Sequence, residues 1–243
     1  VFVDNTRRAL ARAASTYYRQ PSHDLQVIGI TGTNGKTTVA FMVRNILKSV
    51  GVRTGMIGTI EYDIGSRVMP ATRTTPESLE LQNMLQQMRL ARCEVCVMEV
   101  SSHALEQYRV EAVDFDMGVF TNLTQDHLDY HGNMESYFAS KKKLFDLLDE
   151  DKGVFVNLDD EYGARLMATG RVSYGLNENA MIRAKHFELD GFGTRLLVET
   201  GDGLSEMELP FIGRHNIYNA LAASAMSLEL DIPIKYIKKG LEI

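Results

Sequence analysis

Residues 25–50 read LQVIGITGTNGKTTVAFMVRNILKSV, an apolar run that breaks at a glycine-bearing loop and resumes with helical spacing. This pattern predicts a strand, a phosphate-binding loop and a helix. In Gly32-Thr33-Asn34-Gly35-Lys36-Thr37-Thr38 the glycines let the backbone turn its N–H groups inward, and the following helix aims its positive dipole end at the same point. A polyphosphate fits such a cradle. Lys36 offers a mobile charge to the terminal phosphates, and the Thr37 hydroxyl is set to ligate the Mg²⁺ that travels with them.

The strict P-loop spacing wants a glycine five residues before Gly35, where this chain has Ile30; Gly29 is one position off. The loop is therefore a variant. A tight βα connection that merely ends in Lys-Thr is the plain alternative. Strand before, helix after and Gly-Lys-Thr-Thr at the junction weigh against it.

Outward from the loop, Gly51 suits a helix C-cap and Val52 to Ile60 a second strand. A loop is expected from Glu61 to Pro76, carrying Arg73-Thr74-Thr75-Pro76, with a helix from Pro76 to about Arg92. Val95 to Val100 and Met117 to Thr121 are further strands. Strands alternating with helices give an α/β fold, a mostly parallel P-loop sheet flanked by helices, with ligands collecting outside the carboxyl ends of the strands. From Gly153, GVFVNLD, RVSYG, MIRAKHFELDGFGTRLLVETGDG and MELPFIG predict a small antiparallel β patch in the C-terminal third. An Ala-rich helix is expected over His215 to Leu230, stopped by Asp231-Ile232-Pro233.

The 243 residues are 44% hydrophobic, enough for a sizeable core, and the net charge of -6 argues against a nucleic-acid partner. No apolar run approaches the roughly 20 residues that cross a bilayer, and Val1 to Arg12 has no signal-peptide character, so a cytoplasmic protein is expected. The chain opens on Val1-Phe2-Val3-Asp4 and stops in Lys238-Lys239-Gly240-Leu241-Glu242-Ile243, just after a helical pattern begins to rise again. The chain thus looks cut from something longer. Cys93-Glu-Val-Cys96 has redox-pair spacing, but on a strand side chains three apart face opposite ways, which favours two reduced, packed thiols.

Glu99 sits near the end of an apolar strand, where P-loop enzymes place an acid that holds Mg²⁺ directly or through water. TNLTQDHLDYHG, residues 121–132, packs two Asp and two His after a strand, a density that is costly without a cation nearby. His127 is the candidate ligand; His131 would equally cap a helix or lie in solvent. A zinc hydrolase needs three good ligands and an open position, and His-x-x-x-His here is not on a clear helix. In the helix over Met134 to Leu148, Met134, Tyr137, Phe138, Leu144, Phe145 and Leu148 follow helical apolar spacing, and Lys141 falls on their stripe. Lys142 and Lys143 fall off it. A lysine partly desolvated beside other cations has a lowered pKa and an available neutral amine.

TGTNGKTT, RTTPES, MEVSSHALEQYRV, TNLTQDHLDYHG, YFASKKKLF and GRHNIYNALAA, in this order, resemble the Mur ligases, more narrowly the branch that adds the third residue of the peptidoglycan stem peptide. The resemblance covers nearly the whole chain. It implies an ATP-dependent acid–amino-acid ligase working through an acyl phosphate. Gly32, Thr33, Asn34, Gly35, Lys36, Thr37 and Thr38 would then hold ATP, with His215, Asn216 and Asn219 near the adenine. Thr37 and Glu99 would hold one Mg²⁺, and His127 with a carbamylated Lys141 would help hold a second; Lys36, Glu99, His127 and Lys141 are the implied catalytic set. Thr74, Thr75, Ser101, Gln107 and Arg109 would bind the UDP-muramoyl-dipeptide, and diaminopimelate or lysine would be the incoming amino acid. The resemblance also implies the domain organisation: 1–24 a remnant of the N-terminal UDP-binding domain and linker, 25–232 the ATP-binding central domain, and 233–243 the start of a linker to a C-terminal domain, so weak nucleotide binding and no turnover are expected of this polypeptide, as a monomer. A serine hydrolase built on Ser101, Ser102 and His103 lacks the nucleophile-elbow glycines. A folylpolyglutamate or cyanophycin synthetase, or a nucleotide-binding scaffold without catalysis, would also carry such a loop. RTTP together with SSHALEQYR favours the muramoyl branch, and intact Lys36, Glu99, His127 and Lys141 speak against the scaffold.

Overall fold

The structure, a computed structural model, describes residues 2–167 and 172–242. In chain order the elements are α1 (Thr6–Tyr17), a 3-10 turn (Pro21–Asp24), β1 (Gln26–Thr31), α2 (Lys36–Ser49), β2 (Thr54–Ile57), β3 (Glu61–Asp63), β4 (Val68–Pro70), α3 (Ser78–Leu90), β5 (Val95–Glu99), α4 (Ser102–Glu106) and β6 (Met117–Phe120). There follow α5 (Leu128–His131), α6 (Met134–Asp146), β7 (Gly153–Asn157), α7 (Glu161–Leu166), β8 (Val172–Gly175), β9 (Ile182–Leu189), β10 (Thr194–Thr200), β11 (Gly203–Leu209), α8 (Arg214–Glu229) and α9 (Ile234–Leu241). The expected strand RVSYG begins at Arg171, which lies outside the described residues. The chain divides into two compact units. One comprises Val1–Thr31, Val52–Gly118 and Gln125–Lys152; the other comprises Gly32–Gly51, Val119–Thr124 and Gly153–Ile243.

In the first unit β5 lies between β1 and β2, parallel to both, with Val97 opposite Ile28 on one side and Met56 on the other. Both inner strands are buried throughout their apolar lengths, as parallel strands covered on both faces must be. Gly29 belongs to this core. A Cβ there would lie 2.9 Å from Phe115, so the glycine one place off the motif admits an aromatic ring and is no part of the loop. The segment expected as loop between Glu61 and Pro76 instead holds a hairpin, β3 pairing antiparallel with β2 and with β4. Its turn is set by Asp63, whose carboxylate accepts from Gly65 N–H at 3.0 Å, and by Gly65 at φ +79. α3 starts at Ser78, two residues later than expected, because Glu77 takes the N-cap in extended backbone; it ends at Leu90, Arg92 having turned to φ +61.

In the second unit α2 packs against α8 and α9. The α2–α9 approach is close enough that a Cβ on Gly240 would lie 2.4 Å from the Ile46 Cα. α8 buries Ala220, Ala222, Ala223 and Ala225, side chains short enough to lay its backbone near β7 and β8. The antiparallel patch is narrower than GVFVNLD and RVSYG suggested. β7 and β8 run parallel, joined through α7, and β8 and β9 are parallel as well; only β9, β10 and β11 form an antiparallel meander. Short alternating strands do not by themselves reveal direction; the helical crossover over 161–166 does.

Candidate functional site

The glycine loop lies in the second unit and is shaped by two residues that nothing but glycine can replace. Gly32 has φ +143, and a Cβ on it would meet the Thr121 hydroxyl at 1.9 Å; Gly35 has φ +88, and a Cβ would meet the Asn219 carbonyl oxygen at 2.4 Å. Gly35 is the N-cap of α2 and supplies no capping side chain, the arrangement that leaves a helix start to serve an anion. The start of the TNLTQDHLDYHG segment braces the loop. Thr33 N–H donates to Asn122 O at 2.8 Å, Asn34 N–H to Asn122 Oδ1 at 3.0 Å, and the Thr121 hydroxyl to Asn34 O at 2.7 Å. The Lys36 ammonium folds over the loop, 2.9 Å from Gly32 O and 2.8 Å from Thr33 O.

Beside the loop is a cavity of about 490 Å³ lined by Asn34, Gly35, Thr38, His215 and Asn219, all expected from the sequence, and by Thr121, Asn122, Thr124, Asn157, Asp159, Asp160, Tyr174 and Tyr218. Asn216 reaches this lining through Asn219, whose amide donates to it at 3.2 Å. Asn157 and Asp159 were missed, though they close an apolar strand just as Glu99 does. Tyr174 donates to Phe120 O and Asn157 to Thr121 O, both at 2.9 Å, which holds the cavity floor in place. Burial, with the Asp159 carboxylate nearby, raises the Tyr218 pKa, so its hydroxyl stays protonated.

Thr37 lies in the first turn of α2, in the second unit; the remaining expected residues lie in the first unit and fall into two groups. Glu99 is 1% exposed, and its carboxylate accepts from Thr59 N–H at 2.8 Å and from the Thr59 hydroxyl at 3.1 Å. Gly58 permits this approach, since a Cβ there would lie 2.4 Å from Glu99 Oε1. The Thr59 hydroxyl is also 3.0 Å from that of Thr74, while the Thr75 hydroxyl donates to Glu99 O at 2.9 Å and accepts from Ser101 N–H at 3.1 Å. Arg109 donates to Thr75 O at 2.9 Å and to Gln107 at 2.7 Å. Glu99, Thr74, Thr75, Ser101, Gln107 and Arg109 are thus one network, tied by a threonine that sequence spacing did not single out.

The second group surrounds Lys141, which is 1% exposed with its amine 4.4 Å over the Tyr137 ring. The expected inward stripe is present: Tyr137, Phe138, Leu144 and Phe145 are buried with it. Lys142 pairs with Asp146, and Lys143 with Glu106 at 2.7 Å. His131 stacks on Tyr137 at 4.8 Å and meets the Ser102 hydroxyl at 2.9 Å. His103 lies 5.0 Å from His127 and 5.6 Å from His131 between ring centres. Burial and the neighbouring imidazole lower the pKa of both His103 and His131, which keeps these rings neutral around the lysine. His127 is exposed and begins α5 with φ +52, a left-handed backbone unusual for a non-glycine residue. Among the described residues no three His, Cys, Asp or Glu side chains are grouped to hold a metal ion. Cys93 and Cys96 are both buried and free, their thiol pKa values raised chiefly by burial. No helix among the described residues is long and apolar enough to cross a membrane.

A family model described as the Mur ligase middle domain matches residues 30–227. The UDP-N-acetylmuramoyl-L-alanyl-D-glutamate--2,6-diaminopimelate ligase of Geobacter sulfurreducens is 45% identical over 251 residues, covering 99% of this chain and 49% of the relative. The like-named enzyme of Geobacter metallireducens is 44% identical over 255 residues, with 99% and 49% covered. A solved structure of a ligase with that name has a TM-score of 0.86 at 25% identity, over 99% of this chain and 51% of the other. The chain spans about half the length of the curated relatives it matches.

Proposed function

The chain belongs to the Mur ligases, and from that premise we propose that it is the ATP-binding part of a ligase that adds the third amino acid to UDP-N-acetylmuramoyl-L-alanyl-D-glutamate in cytoplasmic peptidoglycan synthesis. The γ-phosphate of ATP passes to a substrate carboxylate, and the amine of the incoming amino acid displaces phosphate from the acyl phosphate to form the amide. The names of the relatives favour diaminopimelate over lysine as that amino acid. The observation that carries the proposal is the shared cavity of Asn34, Gly35, Thr38, His215 and Asn219, where the phosphate loop and the residues assigned to adenine line one space.

The loop's backbone and Lys36 bind the triphosphate, while Asn219 and His215 orient the base. Thr75, Ser101, Gln107 and Arg109 hold the acidic end of the muramoyl peptide. For Mg²⁺ the donors proposed are of the right kind, the Thr37 hydroxyl and a buried Glu99 carboxylate held by Thr59 both being hard oxygens. His127 and Lys141 are the further ligands proposed. Lys141 takes that role as a carbamate, its amine adding CO₂ and losing a proton, which replaces a cation by an anion with oxygen donors. Bound Mg²⁺ would supply charge neutralisation between the phosphates and the attacking carboxylate.

The test is a binding and turnover assay on the 243-residue chain and on the longer ligase that contains such a chain in the relatives. The chain alone is expected to bind nucleotide weakly without turnover. The longer enzyme should release phosphate only when ATP, UDP-muramoyl-dipeptide and diaminopimelate are all present. Competition by folate in place of the muramoyl peptide would move the chain to another ligase of the superfamily, and steady amide formation by the short chain would refute the division of labour.

A further inference from the structure

Around Glu77, the N-cap of α3, three guanidinium groups converge on one carboxylate. Arg109 approaches it at 3.1 Å, Arg7 of α1 at 3.2 Å, and Arg73 forms a close i,i+4 ion pair. Gln107 ties the set together, accepting from Arg109 at 2.7 Å and from Arg7 at 3.4 Å. Three positive groups facing one negative group leave two charges of positive excess. The Arg109 side chain is only 11% exposed, and its Nε–H is buried without a hydrogen-bond partner. A planar guanidinium presents a fork of donors suited to a bidentate carboxylate. Here that fork is incompletely used. Burial, with Arg73 and Arg7 nearby, draws the Arg109 pKa down against the opposing pull of Glu77, a further sign that more negative charge would be accepted.

We infer that Glu77 is a built-in stand-in for a substrate carboxylate, and that Arg7 and Arg73 join Arg109 as the clamp for the carboxylate that is not converted to the amide. The inference rests on the proposed substrate. A terminal D-glutamyl residue carries two carboxyl groups; the ligase consumes one, and the other stays anionic and needs cationic partners. Arg7 belongs to α1 and Arg73 to the loop before α3, so neither follows from the strand-end rule that located the rest. In the free protein the Glu77 carboxylate competes for the clamp; on binding it yields to the ligand and turns to solvent, where it is already 40% exposed.

Titration of the chain with N-acetyl-L-alanyl-D-glutamate, followed by arginine side-chain N–H resonances, tests this directly. Its partner ligand has the non-reacting carboxylate replaced by a carboxamide. Glu77→Gln should tighten binding of the dicarboxylate about tenfold by removing the competitor, and should leave the amidated ligand unchanged. Arg73→Gln and Arg7→Gln, which keep Glu77, should each weaken the dicarboxylate severalfold and leave the amidated ligand alone. Equal effects of Glu77→Gln on both ligands, or weaker binding of the dicarboxylate, would overturn the stand-in role. Should Glu77→Gln fail to fold, the two arginine variants decide by the same comparison. ATP binding is scored separately on the same samples. Loss of the nucleotide arm with these arms intact would sink the ligase assignment and spare the clamp, and the reverse outcome would do the opposite.

Discussion

The glycine loop proposed to hold phosphate and the lysine–imidazole cluster are built in opposite ways. The loop is made of backbone: Gly32 and Gly35 adopt angles that side chains reject, and Asn122 fixes two of its N–H groups. The cluster around Lys141 is made of side chains: the amine lies over the Tyr137 ring, His131 stacks on Tyr137, and Ser102 anchors His131. A backbone site depends on a few contiguous residues and tolerates no Cβ. A side-chain site depends on packing gathered from several helices and degrades by degrees.

If that contrast is right, Gly32→Ala has the largest effect, because the new methyl would need the space of the Thr121 hydroxyl. Loss of at least about 3 kcal/mol in urea denaturation is expected, with loss of nucleotide binding. Gly132→Ala is its control: the residue also has positive φ, but nothing lies within 4 Å, so about 1 kcal/mol is expected. Parity between the two would break the backbone half of the comparison. Next comes Lys141→Ala, which empties a buried stem and should cost about 2–4 kcal/mol. Lys142→Ala removes only a surface pair with Asp146 and should cost about 0.5 kcal/mol or less. Similar losses at 141 and 142 would refute the inward stripe.

A smaller effect sharpens the role of Thr59. Thr59→Val keeps the shape but deletes the hydroxyl that bridges Glu99 and Thr74, so a loss of about 1–2 kcal/mol in urea denaturation is expected. Smallest of all, native Cys96 should not react with an aromatic disulfide reagent at neutral pH, whereas two thiols should react once the chain is unfolded. Rapid native labelling of both would contradict their burial.

What was legible follows the same division. The strand, loop and helix over 25–50 were readable because the signal is local and periodic, and Lys141 was readable because one charge on an apolar stripe breaks a 3.6-residue rule. Strand-end logic found Glu99 but stopped short of Asn157 and Asp159, which obey it equally. Thr59 and the Arg7–Glu77 pair were not legible, because their partners lie 15 to 70 residues away and only the folded chain brings them together; His103 entered only through the serine-hydrolase alternative, and its place beside His127 likewise needs the fold. The β3–β4 hairpin was hidden by strands three residues long, too short for alternation to register.

The most direct measurement is calorimetric titration of the chain with a non-hydrolysable ATP analogue, with and without Mg²⁺, in wild type and Lys36→Ala. A backbone cradle completed by one mobile lysine predicts one site per chain, tighter with Mg²⁺ and weakened at least about thirtyfold by the substitution. Equal heats and equal affinity in the two proteins, or binding indifferent to Mg²⁺, would contradict it.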